Sequence, residues 1–424
     1  MHSAPPLGEI RFNMIITAKW LVPVTSEPIE DGAVFIDEGK IVDFGPSKAI
    51  LKNYPGQKIR EFKGGILLPG FVNAHTHLEL SLFEGKIRLG NFENWLFELV
   101  TKIRTISEDQ WRASCEKGVK QLIQSGTTTV GDIAATGFSI DALLNSGLRA
   151  KVYKEAISPS DDHLKDFFVI VDYLRKKISN SLVEIGISPH SPYTVSQKAL
   201  EKLNAFARDA GLDFCMHVAE SKAEEQYLKS GSGPIVDLFK SKFKLPLEIK
   251  PPSSSPVAYL KNVGARHAVP LLNNRFTAIH AVQVSETDLT ILKDAGSRVV
   301  LCPVSNQNLA VGLPPVDLYQ EAAFGFALGT DSLASNSSLD IVKEAAFTSD
   351  NFDIGAKDLL KALTINGAKA LGLGEKTGSI EAGKEADVIV ITGGDVSRAP
   401  TEHIISGNWR LLASFVAGKM NSNV

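Results

Sequence analysis

Cysteine is scarce in this chain: only Cys115, Cys215 and Cys302 occur in 424 residues, and no two stand at C-x-x-C spacing. That excludes a disulfide framework and a thiolate zinc site, and makes an intracellular setting the expectation. No stretch of about 18 apolar residues occurs, so no membrane-spanning helix is expected. Met1–Phe12 has neither the apolar core nor the cleavage motif of a secretory signal, and the reading is a cytoplasmic protein. Charge of one sign is lacking too: a net −3 offers nucleic acid no basic footprint. Glycine-rich phosphate loops, the order signals of a Ser-His-Asp triad, basic-aromatic interleaving, internal repeats and low-complexity tracts are all absent. What remains is an ordinary globular composition, 44% hydrophobic and 22% charged, long enough for one large domain plus a small one.

The first 64 residues read as short strands, Met14–Ile16, Trp20–Pro23, Ala33–Asp37 and Lys40–Phe44, with a hairpin turn at Glu38-Gly39. From Gly65 onward, apolar strand-like runs alternate with amphipathic helical segments, the pattern of a parallel sheet. Eight runs can be counted: Ile66–Asn73, Thr127–Asp132, Ala150–Glu155, Val183–Pro189, Asp213–His217, Phe276–His280, Arg298–Pro303 and Phe326–Asp331. Eight is the number of the (β/α)8 barrel. Helices are expected at Gln197–Ala210, stopped by Gly211, and at Ser285–Ala295, where Ser285 and Asp288 form a capping box. The segment 231–268 is too long for a plain connection and is expected as a loop over the barrel mouth. After a helix at Ala356–Leu371, Gly378–Thr392 turns strand-like again. The expected organisation is therefore an α/β chain, with a (β/α)8 TIM-like barrel over 65–377 and a small β-sandwich from 1–64 and 378–424.

Five of the nine histidines stand at or just past the ends of apolar runs, and a further run ends in Asp331. His75-x-His77 puts two imidazoles on one side of a strand, since strand side chains alternate with period two. Alone such a pair is more often an ordinary polar strand end. With His217 and Asp331 at other C-terminal strand ends, the face where barrel active sites lie, the four suit one Zn²⁺, or Fe²⁺. Glu220, three residues after His217, fits a general acid/base beside the metal, or else a helix N-terminal acid. His163, His267 and His403 read as surface residues.

Pro69–His77, His217-Val218-Ala219-Glu220, Leu328–Ser332 with Ser335-Asn336 and Leu339-Asp340, and the trailing Gly378–Asp387 together resemble the amidohydrolase superfamily, in its chlorohydrolase/deaminase branch. The resemblance implies that His75, His77, His217 and Asp331 hold one metal ion. A carboxylated lysine bridging two metals would stand at the fourth strand end, which here is Pro189-His190, and Lys154 lies one strand earlier, so one metal is expected. Glu220 would protonate a ring nitrogen, His280 would contact the attacking water, Asp331 would take and return its proton, and His190 would bind substrate.

The reaction implied is deamination of an adenine-type nucleoside, a small molecule; the oligomeric state stays open. Deaminases of S-adenosylhomocysteine and methylthioadenosine are similar, but carry a glutamate shortly after a Trp-Leu pair, where this chain has Trp95-Leu96 followed by Arg104. The segment His75–Ser81, with its Leu78-Glu79 pair, looks closer to deaminases of 6-aminodeoxyfutalosine, which serve a route to menaquinone. That resemblance implies substrate contacts from Glu79, and from Arg104 or Arg149 to the substrate's benzoate carboxylate. Guanine deaminase, a triazine chlorohydrolase and a metal-free scaffold are the competing readings.

Overall fold

A computed structural model describes residues 13–421 apart from 161, 163, 179–181, 246, 249, 251, 266–269 and 394–398. His163, His267 and parts of the segment 231–268 therefore lie outside the described residues.

The small layer begins with β1 (Met14–Leu21), β2 (Ile29–Asp37), β3 (Lys40–Pro46) and β4 (Lys58–Pro69). The β2–β3 turn is Glu38-Gly39, both residues at positive φ (49° and 80°), as a two-residue hairpin requires. Eight barrel strands follow: β5 (Phe71–Thr76), β6 (Thr127–Ala134), β7 (Arg149–Ala156), β8 (Val183–Pro189), β9 (Phe214–Val218), β10 (Phe276–His280), β11 (Arg298–Leu301) and β12 (Ala327–Leu328). β13 (Val388–Thr392), β14 (Leu411–Val416) and β15 (Lys419–Met420) return to the layer. There seven strands form one mixed sheet in the order β15-β14-β13-β4-β1-β2-β3, while β5 to β12 are neighbours in sequence order. Barrel closure occurs at a parallel bridge between Thr76 and Asp331, where the Asp331 N–H donates to the His75 carbonyl at 3.0 Å.

β5 and β6 are buried along their whole length, which is why they read as unbroken apolar runs rather than alternating ones. Val72, Ile133, Tyr153, Cys215, Ile279 and Val300 fill the barrel interior. Leucines and isoleucines of the outer helices pack on the opposite strand faces. The helix Gln197–Ala210 is capped by Ser196 and ends at Gly211 (φ 66°), and Glu286–Asp294 starts from the Ser285/Asp288 capping box.

Three expectations shift. The run Ile66–Asn73 serves two sheets: Ile66–Pro69 pairs with β13 in the small layer, and the first barrel strand begins at Phe71. A Cβ on Gly70 would lie 2.0 Å from Thr128 Oγ1, so only glycine lets the chain pass there. The segment 231–268 is partly helical, with helices Pro234–Leu238 and Pro256–Ala265. The expected single helix over 356–371 breaks at Thr364 (φ −134°, ψ −97°) into Ala356–Ala362 and Ile365–Ala370. Among the described residues, no helix is long and apolar enough to cross a membrane.

Candidate active site

His75 is the penultimate residue of β5, and His77 follows where the backbone turns into the short 3-10 segment Leu78–Phe83. β9 carries His217, whose Nδ1 donates to the His190 carbonyl at 2.8 Å. That bond fixes the tautomer and leaves a lone pair on Nε2, which lies 3.2 Å from Nε2 of His77. Asp331 stands just past β12 and divides its oxygens: Oδ1 lies 3.5 Å from Nε2 of both His75 and His77. Oδ2 accepts from the Ser305 and Ser335 hydroxyls, each at 2.7 Å. Burial raises the Asp331 carboxyl, but the surrounding imidazoles outweigh it and hold the group well below the usual range.

Nε2 of His75 is buried and has no hydrogen-bond partner. An interior polar atom left so is costly unless a cation takes its lone pair. Donors about 2.0–2.1 Å from one tetrahedral ion lie about 3.3 Å apart, and the spacings of 3.2 and 3.5 Å match. His75, His77, His217 and Asp331 thus fit one divalent ion. His280 also lies within range of His75 and Asp331. Its Nδ1 is 3.0 Å from Asn306 Nδ2, and its Nε2 stands 3.6 Å from Glu220 Oε1, beyond hydrogen-bond distance.

Four non-glycine residues at these strand ends occupy the left-handed region: Ala219 (φ 55°), His280 (72°), Ala281 (43°) and Asp331 (59°). Each costs of order 1–3 kcal/mol and persists only where other contacts hold it. Here the Ala281 and Val282 N–H groups donate to the Val218 and Ala219 carbonyls at 3.1 and 2.9 Å. Glu220 is buried beside this turn, and burial, with the charges of Asp331 and Glu224, pushes its carboxyl well above the usual range. Glu224 accepts the Ala219 and Glu220 N–H groups at 3.0 and 2.9 Å and so pins the turn that aims Glu220.

The other expected substrate residues divide. His190 flanks the cluster, its ring 5.0 Å from that of His217 and its Nδ1 within 3.0 Å of the Ser191 and Thr194 hydroxyls. Arg104 is exposed at the C-terminal cap of the helix Phe92–Ile103, which is tied to the barrel by Trp95 Nε1 donating to the Ala334 carbonyl. Glu79 is corrected: its two oxygens accept the Thr136 and Gly137 N–H groups at 2.8 and 2.7 Å, so it braces the loop after β6. Arg149 is corrected as well. It opens β7 at the opposite end of the barrel, where its guanidinium is buried against Asp387 at 2.6 Å with Glu385 at 3.7 Å. Lys154 turns its ammonium to the Ala134 and Ala135 carbonyls. His403 is half-buried rather than on the surface, with Nε2 3.0 Å from the Thr392 carbonyl.

Sequence reasoning missed Ser305, Ser335 as a partner of Asp331, Asn306, Glu224 and Glu155. Ser305 and Asn306 carry no local signal, because they reach the site on the short helix Pro303–Asn308 that follows β11. Glu155 had one: it is two residues beyond Tyr153 on β7, hence on the inward face. Burial raises its carboxyl to about 7.

Residues 66–419 match the amidohydrolase family. The chain is 29% identical over 416 residues to the 5-methylthioadenosine/S-adenosylhomocysteine deaminase of Teredinibacter turnerae, covering 92% of this chain and 86% of that one. It is 28% identical over 371 residues to the aminodeoxyfutalosine deaminase of Nitratiruptor sp., covering 86% of this chain and 87% of that one. The crystal structure of Helicobacter pylori aminofutalosine deaminase has the same fold, with a TM-score of 0.86, 24% identity and coverage of 96% of this chain and 99% of that one. Since the family match takes in every barrel strand and the whole histidine-aspartate cluster, the chain belongs to the amidohydrolase family.

Proposed function

We propose that this enzyme hydrolytically deaminates an adenine-type nucleoside, with 6-aminodeoxyfutalosine as its substrate. The observation that carries the reaction class is Glu220: a buried carboxyl beside the donor cluster, not among its donors, and 3.6 Å from His280. A divalent ion, zinc in the first instance and iron in the second, supplies Lewis acidity when bound, lowering the pKa of water from about 15.7 toward about 7. Asp331, held ionised by its imidazole neighbours, would accept a proton from the attacking water, which His280 would orient. Glu220, its carboxyl pushed upward by burial, would donate to the ring nitrogen beside the reacting carbon and so absorb the charge that develops there. Asp331 would then return its proton to the amine, which leaves as ammonia, while the hydroxyl proton released as the carbonyl forms would restore the Glu220 carboxyl.

The relatives' names, 5-methylthioadenosine/S-adenosylhomocysteine deaminase and aminodeoxyfutalosine deaminase, support the nucleoside class. For the finer choice, with Arg149 engaged elsewhere, Arg104 is kept as the cation for a benzoate carboxylate, and the exposed Lys222 is added beside it. Lys222 lines a groove of about 560 Å³ together with Asn91, Phe92, Gln226, Gln283 and Gly312. The test is ammonia release from aminodeoxyfutalosine, methylthioadenosine, S-adenosylhomocysteine, adenosine, guanine and a triazine. Aminodeoxyfutalosine should give the highest kcat/KM, and Arg104→Ala or Lys222→Ala should lower it by roughly 10–150-fold, the value of one charge-assisted hydrogen bond, while sparing adenosine. A wild-type preference for S-adenosylhomocysteine would replace the futalosine assignment and leave the deaminase standing; turnover of none of the nucleosides would remove both.

A further inference from the structure

Glu155 is the penultimate residue of β7 and has no part in the chemistry above. Tyr153 and Cys215 belong to the barrel interior, so Glu155 and His217, each two residues further along, occupy the next inward layer, level with the donor cluster. A carboxylate oxygen of Glu155 and ring nitrogens of His190 and His217 all lie within 4.8 Å of one another. Oε1 of Glu155 is buried without a hydrogen-bond partner, and the neighbouring Lys154 ammonium is bonded to the Ala134 and Ala135 carbonyls instead.

Three such donors could hold a second cation, but these do not. His217 gives Nδ1 to the His190 carbonyl and Nε2 to the first cluster, and Nδ1 of His190 is engaged by the Ser191 and Thr194 hydroxyls. Too few free donors remain for the usual three or four ligands. In its ionised form the Glu155 carboxylate is an acceptor only. Apart from its leaving amine, an adenine ring offers acceptor nitrogens and C–H edges, so the donors an adenine nucleoside can present to Glu155 are its sugar hydroxyls.

We propose that Glu155 is a substrate-binding residue whose carboxylate accepts hydrogen bonds from the vicinal hydroxyls of the nucleoside sugar. This rests on the nucleoside reading above. The test compares the wild type, Glu155→Gln and Glu155→Asp on adenosine, 5′-methylthioadenosine and 2′,3′-dideoxyadenosine, with metal content measured for each protein. The wild type should prefer the hydroxylated nucleosides. Glu155→Gln should lose about 10- to 100-fold in kcat/KM on them, mainly through KM, while changing little on the dideoxy compound. Glu155→Asp should keep part of the preference, and all three proteins should hold the same metal. Equal losses on all three nucleosides, an unchanged adenosine rate, loss of metal in Glu155→Gln, or equal wild-type use of adenosine and its dideoxy analogue would each overturn the sugar contact while leaving the deaminase. Ammonia from none of them, nor from aminodeoxyfutalosine, in the wild type, would overturn the nucleoside reading and this inference with it.

Discussion

Asp331 shows how one side chain is given two directions at once. Two serine hydroxyls take Oδ2, and Oδ1 is left facing His75 and His77. Purified protein should therefore hold about one divalent ion per chain, and His77→Ala or Asp331→Asn should lose most of it by elemental analysis; two ions per active chain would contradict the single site. Glu220→Gln should keep metal and fold yet lose roughly 10²–10⁴-fold in kcat, as expected for removal of a general acid. Because burial raises its carboxyl, Glu220 keeps its proton to higher pH than a free glutamate, and the donor is lost as pH rises through that raised value. The kcat profile should therefore fall on its alkaline side, and this limb should vanish in Glu220→Gln. Near wild-type turnover of the fully loaded variant would place proton transfer elsewhere.

Among the elements, the joint between layer and barrel depends on Arg149, and the barrel seam depends on Gly329. Arg149→Met leaves Asp387, itself fully buried, without its partner, and removing one member of a buried pair costs about 3–5 kcal/mol. Denaturant unfolding should register that loss, whereas the kcat/KM ratio of aminodeoxyfutalosine to adenosine should not change, since the side chain stands away from the mouth. A Cβ on Gly329 would lie 2.7 Å from the Cβ and 2.9 Å from the backbone nitrogen of His75. Gly329→Ala should therefore push apart the strands that carry His75 and Asp331 and lower metal occupancy; a fully loaded variant would show that the seam can yield.

At the scale of the molecule, layer and barrel share one core. Ile66, Leu68, Ile389 and Ile391 of β4 and β13 belong to the same apolar cluster as Leu122, Val130 and Leu148 of the barrel. The remaining faces of the layer bury their own set around Ile16, Leu67, Val388 and Phe415. A shared core couples the two parts, so calorimetry of the metal-loaded protein should give one unfolding transition. Two resolved transitions would show that the layer melts separately.

The histidine-aspartate cluster and the barrel were legible in the chain because both are local signals: a parallel strand buried on two faces is a continuous apolar run, and its C-terminal end is where the histidines stand. Strand ends also made Glu220 and His280 readable. What sequence by itself could not determine is which partner each polar side chain takes. Arg149 and Glu79 carry the right charges for substrate recognition, but Arg149 lies at the far end of its strand against a carboxylate 238 residues away, and Glu79 is occupied by backbone amides of another loop. Ser305, Asn306 and Glu155 enter the site only because barrel closure brings separate strand ends together. Periodicity records the face on which a residue lies; the direction of its hydrogen bonds depends on neighbours distant in the chain, and only the tertiary structure decided them.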